Sequence, residues 1–293
     1  MDNKSLVMGL VFVLLWSSAF TSAKIIVEHA PPFLALGVRF FLTGTFGLLI
    51  SNIFYERIKF TRVEWFSIIA FGICQNSIYL GLNFAAMEKI DAFLAVIIAS
   101  LLPVMVAIIS WIMKIEKIGF SGVIGMLLGL IGCWIILNEK IIIFSNLLGI
   151  IYCSIGALAL AVATLLVKNT ISKKNQILRI VSLQMLIGGL PLIIISYFLE
   201  TWSIKYSSNF LMAFLYTCIF PGLIATIIWF NLVGKVGAVL AASFHFLNPP
   251  MGVLIAALIL SESIRSTDIL GIIILMIAII LIQRSRAKEK SHV

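Results

Sequence analysis

Residues 92–137, AFLAVIIASLLPVMVAIISWIMKIEKIGFSGVIGMLLGLIGCWIIL, and residues 238–283, AVLAASFHFLNPPMGVLIAALILSESIRSTDILGIIILMIAIILIQ, decide the fold. Superimposed at a shift of 146, they agree at 12 of 46 ungapped positions. Aliphatic matches carry little in a chain so rich in Ile and Leu. The matches that carry weight are Pro103 with Pro249, Met105 with Met251, Glu116 with Glu262 and Gly125 with Gly271. Each copy holds two apolar runs, and a helix needs roughly 20 such residues to cross a bilayer. The chain is a tandem duplication of a membrane-spanning unit.

Extending outward from the repeat, charges and turn residues delimit ten spans: 5–27, 32–54, 63–86, 91–113, 119–138, 146–167, 177–198, 208–231, 236–260 and 267–283. Two units follow, 6–138 and 147–283, with a basic tail at 284–293. Five spans per unit is an odd number, so the second unit enters the membrane with opposite orientation. The expected fold is all-α, a polytopic membrane protein of ten transmembrane helices in two inverted five-helix repeats. Inverted repeats are characteristic of secondary transporters, whose site lies near the midplane between them. Lys4, the run Leu6–Leu15 and the small residues Ser17, Ser18 and Ala19 imitate a secretory signal. The apolar stretch continues to Val27, however, and reads as an uncleaved first helix.

Composition agrees. Apolar residues form 62% of the 293 residues and charged residues 11%, against about 45–50% and 25% in an ordinary globular protein. So few charges cannot cover a soluble surface, which excludes a cytosolic enzyme, a secreted disulfide scaffold and a disordered chain. Continuous apolar runs, rather than alternation, argue against an outer-membrane barrel. The net charge of +9 is explained by loops rather than by nucleic acid. Fifteen basic residues fall on the N-terminal side of the membrane, among them Lys4, Arg57, Lys59, Arg62, Lys114 and Arg179, and five on the other. The positive-inside rule then places both termini in the cytoplasm of a cell inner (plasma) membrane. Cys74, Cys133, Cys153 and Cys218 lie in apolar stretches without CxxC spacing and read as small buried hydrophobes. No metal or cofactor is expected.

The first span carries Leu15, Trp16, Ser17, Ser18, Ala19 and Phe20, and the second opens on Pro31 and Pro32 and holds Arg39. With the Pro, Glu and Gly pattern of each half, these features resemble the drug/metabolite transporter superfamily, specifically its EamA-type ten-helix members. The resemblance spans essentially the whole chain and implies export of amino acids, related metabolites or drugs. It does not extend evenly. Spans 1–2 and 6–7 align only with gaps, and Arg39 meets no basic residue in the second half, where Gln184 and Met185 lie nearby.

Several polar residues stand inside spans. Arg39 lies about 10 Å below the outer edge at ~1.5 Å per residue, where a charge costs about 2.5–3.5 kcal/mol on insertion scales. It is either a carboxylate-binding or gating cation near the outer mouth, or a structural residue with Glu28 or Glu88 in reach. Gln75, Tyr79 and Asn83 recur at i, i+4 and i+8 on one face of span 3, either lining a pathway or bridging helices. His245 and Asn248 precede Pro249 in span 9, where His245 is either a proton acceptor or simply hydrogen-bonded. Trp16 is expected in the cavity wall, and Ser100 joins it from mid-span 4. Trp229 reads equally as lining or packing. Pro103 and Pro249 each remove a backbone hydrogen bond and are candidate gates. Gly122, Gly125, Gly129 and Gly132 make one smooth face, packing span 5 against span 10 or against a second subunit in a homodimer.

The expected substrate-binding set is thus Trp16, Arg39, Gln75, Tyr79, Asn83, Ser100, His245 and Asn248. The expected function is secondary transport of a small-molecule solute, most simply export by alternating access. A passive channel or uptake facilitator on the same scaffold, and a lipid-modifying membrane enzyme, are the alternatives. The enzyme is disfavoured because HExxH, GxSxG and Walker motifs are missing. Asp occurs only at 2, 91 and 268 and no Glu lies deep in a span, so no mid-membrane carboxylate carries protons. Uncoupled exchange is therefore preferred to proton coupling through His245.

Overall fold

The computed structural model describes residues 2–56, 58–90, 92–137, 146–169, 176–251, 254 and 266–290. Glu262 and the second half of span 9 lie outside the described residues. The spans are helices: Asn3–Val27, Pro32–Phe54, Arg62–Met87, Ala92–Ile112 in two pieces, Phe120–Leu137, Leu147–Leu166, Ile177–Leu199, Ser208–Val236, a ninth beginning at Ala238, and Ser266–Lys290. Eight of these are long and apolar enough to cross a membrane, with Phe120–Ile136 a shorter apolar helix. The last helix runs on through the basic segment to Lys290. Helix starts carry the expected caps. Asp2 accepts from Ser5 N at 3.1 Å, hydrogen bonding from the Ser5 hydroxyl and then its N–H holds the Asp2 carboxyl below the usual range, and Thr61 and Glu64 form a capping box. Gly237, at φ 87°, turns the chain between spans 8 and 9; a side chain there would strain the backbone.

Packing follows the duplication. Span 2 lies along span 7, span 5 along span 10, and span 4 against span 9, while span 1 with span 8 mirrors span 6 with span 3. This is the contact pattern of a two-fold relation between the halves. The partners run antiparallel, as inversion requires: Gly37 faces Ile193 and Gly47 faces Ser182, whereas Gly125 faces Ala278 and Gly132 faces Leu275 and Gly271. Close approach explains the glycine face of span 5. A methyl at Gly125 would stand 2.7 Å from the Ala278 carbonyl oxygen, so the face packs on span 10, with Gly129 against Phe246 of span 9.

Acidic residues at helix ends bind the start of helices in the other half. Glu116, beyond span 4, accepts from Ala238 N at 3.0 Å and Val239 N at 3.2 Å. Glu200, beyond span 7, accepts from Phe33 N and Leu34 N at 2.9 Å each. Each carboxylate satisfies two otherwise orphaned N–H groups and meets the positive end of a helix dipole. The repeated Glu of the sequence therefore has a structural reason at position 116.

Candidate functional site

A cavity opens between spans 1, 2, 3, 7 and 8, lined by Trp16, Phe20, Arg39, Gln75, Asn76, Tyr79, Asn83, Met185, Thr217 and Thr226 among others. Its empty space, counted out to its open side, is about 530 Å³. Five of the eight expected residues meet here: Trp16, Arg39, Gln75, Tyr79 and Asn83. Trp16 and Tyr79 stand parallel, ring centroids 6.1 Å apart and 8° from coplanar, giving the wall an aromatic face. Asn83 donates to the Tyr79 carbonyl at 2.8 Å and accepts from the Cys153 thiol at 3.4 Å, so its amide is partly committed. Gln75 is buried, and among the described residues its Oε1 has no hydrogen-bond partner.

The helix carrying Gln75 and Tyr79 departs from α geometry. Gly72–Leu80 in span 3 is π-helical, and so is Cys218–Ile224 in span 8. Gly72 and Cys218 are separated by the repeat shift of 146, so Gln75 and Pro221 occupy equivalent positions. π-turns widen a helix locally and concentrate at functional sites. Proline accounts for the segment in span 8, since Pro221 cannot donate to the carbonyl four residues back. In span 3 the crossing with span 7 holds the segment: Asn76 donates to Gln184 O at 2.9 Å and Ser77 to Gly188 O at 2.7 Å. Met185, which stands one repeat shift from Arg39, lines the cavity from span 7.

Ser100, His245 and Asn248, expected in the wall, are instead buried behind it and do not line the cavity. Ser100 turns its hydroxyl to the Val96 carbonyl at 2.8 Å, the usual self-bonding of a helical serine. Ser17 donates to Asn248 Oδ1 at 3.3 Å, and the Asn248 amide nitrogen lies 3.1 Å from His245 Nδ1. With Nδ1 accepting from that amide, the imidazole proton sits on Nε2. Phe12, Trp16 and Trp229 enclose the ring edge-to-face at 5.4, 5.9 and 5.4 Å. Polarity in span 9 thus serves a buried network, and Trp229, stacked on Phe12 at 4.6 Å, packs rather than lines.

The candidate gates sit at matched breaks. Span 4 is interrupted at Ser100 and Leu101, and Pro103 lies at the start of its second piece, Leu102–Ile112. Span 9 tightens to a 3₁₀ turn over Phe244–Leu247, two residues before Pro249. The break at 100–101 maps onto 246–247 by the same shift of 146.

Arg39 is 4% exposed, and among the described residues it has no ion pair and no hydrogen bond to protein. Glu28 and Glu88, its expected partners, do not reach it. The guanidinium lies over the Phe40 ring at 5.1 Å and beside Gly222. Missed by sequence reasoning were Thr217 and Thr226, whose hydroxyls bond their own helix at Ala213 and Gly222 and whose residue type alone gives no signal inside a span.

The EamA-like transporter family model matches residues 3–138 and 147–284, one copy per half. The chain is 24% identical over 282 residues to the uncharacterized transporter YvbV of Bacillus subtilis (strain 168), covering 95% of this chain and 91% of that protein. An uncharacterized transporter of Archaeoglobus fulgidus is 26% identical over 277 residues, covering 94% of this chain and 96% of its own. A protein of known crystal structure, 17% identical, superposes over 99% of this chain and 100% of its own with a TM-score of 0.77, which shows a shared fold.

Proposed function

Since this chain belongs to the EamA-like transporter family, and is a multi-pass membrane transporter rather than an enzyme, we propose that it exports amino acids or related small metabolites by alternating access. The observation that carries this reading is the cavity between the two halves, walled by Trp16, Gln75, Tyr79 and Asn83 from one repeat and Met185, Thr217 and Thr226 from the other. Antiparallel pairing of span 2 with span 7 and of span 5 with span 10 suits two bodies that rock about such a site. The matched breaks at Pro103 and Pro249, with the matched π-turns of spans 3 and 8, supply bending points beside it. The distribution of basic residues favours cytoplasmic termini. No Asp or Glu is among the residues lining the cavity, which favours exchange down a gradient. Proton coupling through His245 is disfavoured, because the Asn248 amide donates to Nδ1, the ring nitrogen that would take the proton.

A metabolite-release screen of cells expressing the protein tests the proposal. Amino acids are expected to accumulate outside, and Gln75→Ala or Tyr79→Ala is expected to cut their release about tenfold, the effect of losing ~1.4 kcal/mol of transition-state binding, at unchanged protein level in the membrane. Normal release from both well-inserted variants would take the site away from this cavity.

A further inference from the structure

The cavity wall contains one charge and nothing to balance it. Arg39 is almost wholly buried, lines the cavity, and is unpartnered among the described residues. Its neighbours are the Phe40 face and the Gly222 backbone, neither of which supplies a carboxylate. The other lining residues, including those from spans 7 and 8, are apolar, aromatic, amide or hydroxyl side chains, with no Asp, Glu, Lys or His. A buried, permanently charged guanidinium without a counterion is costly unless something supplies the missing charge. Lys24 and Arg179, by contrast, show how this fold treats cations that serve structure. Lys24 donates to the Met87 carbonyl at 2.7 Å, and Arg179 donates to oxygens of Ser51, Asn52, Tyr55 and Glu56.

From the unpartnered guanidinium in the cavity wall, we propose that Arg39 is the anion-binding group of this transporter and that its cargo carries a single carboxylate. The inference rests on the cavity being the cargo site. One guanidinium with no second cation beside it neutralises one negative charge, which suits a carboxylate better than a phosphate dianion. The planar N–H fork meets the two carboxylate oxygens in parallel, a geometry that Lys does not reproduce. Gly222 matters for access. A methyl there would stand 3.3 Å from the Arg39 Nη2 and 2.7 Å from the Thr217 carbonyl oxygen, so the bare backbone leaves the guanidinium its place. A cationic cargo meets repulsion and no carboxylate, and is refused.

The test measures thermal stabilisation of the detergent-solubilised protein by three probes that share the 3-methylbutyl chain: 4-methylpentanoate, 4-methylpentanamide and 3-methylbutylamine. The carboxylate is expected to bind at least tenfold more tightly than the amide, and the amine not at all. Arg39→Gln is expected to reduce the carboxylate to the level of the amide, and Arg39→Lys to keep part of the preference. Equal binding of carboxylate and amide by the native protein, or an undiminished preference in Arg39→Gln, overturns the proposal. Should Arg39→Gln fail to fold, an undiminished preference in Arg39→Lys argues against the forked contact, and loss of part of it supports the contact. Because binding is read without transport, absence of amino-acid release would count against the proposed export and leave this result standing by itself.

Discussion

Replacing Gly188 by Ala is expected to destabilise the protein by about 3 kcal/mol or more, the upper end of what overpacking costs. Gly188 of span 7 and Gly72 of span 3 form a backbone-to-backbone crossing. A methyl at Gly188 would be driven into the Gly72 carbonyl and to 2.5 Å from the Asn76 Cβ, and a methyl at Gly72 would stand 2.7 Å from the Gln184 carbonyl oxygen. Backbone cannot rotate away as a side chain can, so the two helices must separate. Separation would also break the Asn76 and Ser77 bonds that hold the π-turn of span 3. Gly81→Ala is the control, because its nearest neighbour is the Leu192 Cδ2 methyl at 2.8 Å, and a leucine end can move. Thermal unfolding in detergent compares the two. A loss at Gly188 no larger than at Gly81 would contradict the crossing.

The second large effect concerns span 2, whose ends are both held by span 7. Glu200 receives the first N–H groups of span 2. Arg179, 5% exposed, donates to the Ser51, Tyr55 and Glu56 carbonyls at its far end, at 3.3, 3.3 and 2.8 Å. The signs suit the dipole of span 2, anion at the start and cation at the end. Arg179→Met or Glu200→Gln is expected to cost about 1.5–3 kcal/mol, as for hydrogen bonds to charged groups. The two sites lie a whole helix apart, so the double variant should lose the sum to within about 0.5 kcal/mol. Strong non-additivity in the unfolding measurements would mean that the helix ends are not held independently.

The spans were legible because the bilayer imposes a length on apolar runs and expels charge to their ends. Pro32–Phe54 coincides with the expected 32–54, and span 8 overruns its expected end only because Gly237, six residues further, is what turns the chain. The Glu of the repeat was also visible, although its target, the start of span 9, was not, since a cap across 122 residues leaves no local pattern. The site was half legible. Gln75, Tyr79 and Asn83 share a face whose spacing survives the π-turn well enough to keep them together. His245 and Asn248 look equally polar in sequence, but their partner Ser17 lies 231 residues away, and only the fold reveals that they satisfy each other out of reach of the cavity. The π-turns were not legible, because nothing in GICQNSIYL forbids an ordinary helix. The constraint comes from the span 7 backbone.

The claim at the centre of this account is that cargo passes through the cavity beside Gln75. The most direct measurement uses Gln75→Cys in a background lacking Cys74, Cys133, Cys153 and Cys218, reconstituted into proteoliposomes loaded with a labelled amino-acid mixture. Efflux that saturates with internal concentration and stops when a thiol reagent occupies position 75 is the predicted result. Efflux that continues undiminished after complete labelling, or no movement of any amino acid through the protein with Gln75 intact, would contradict it.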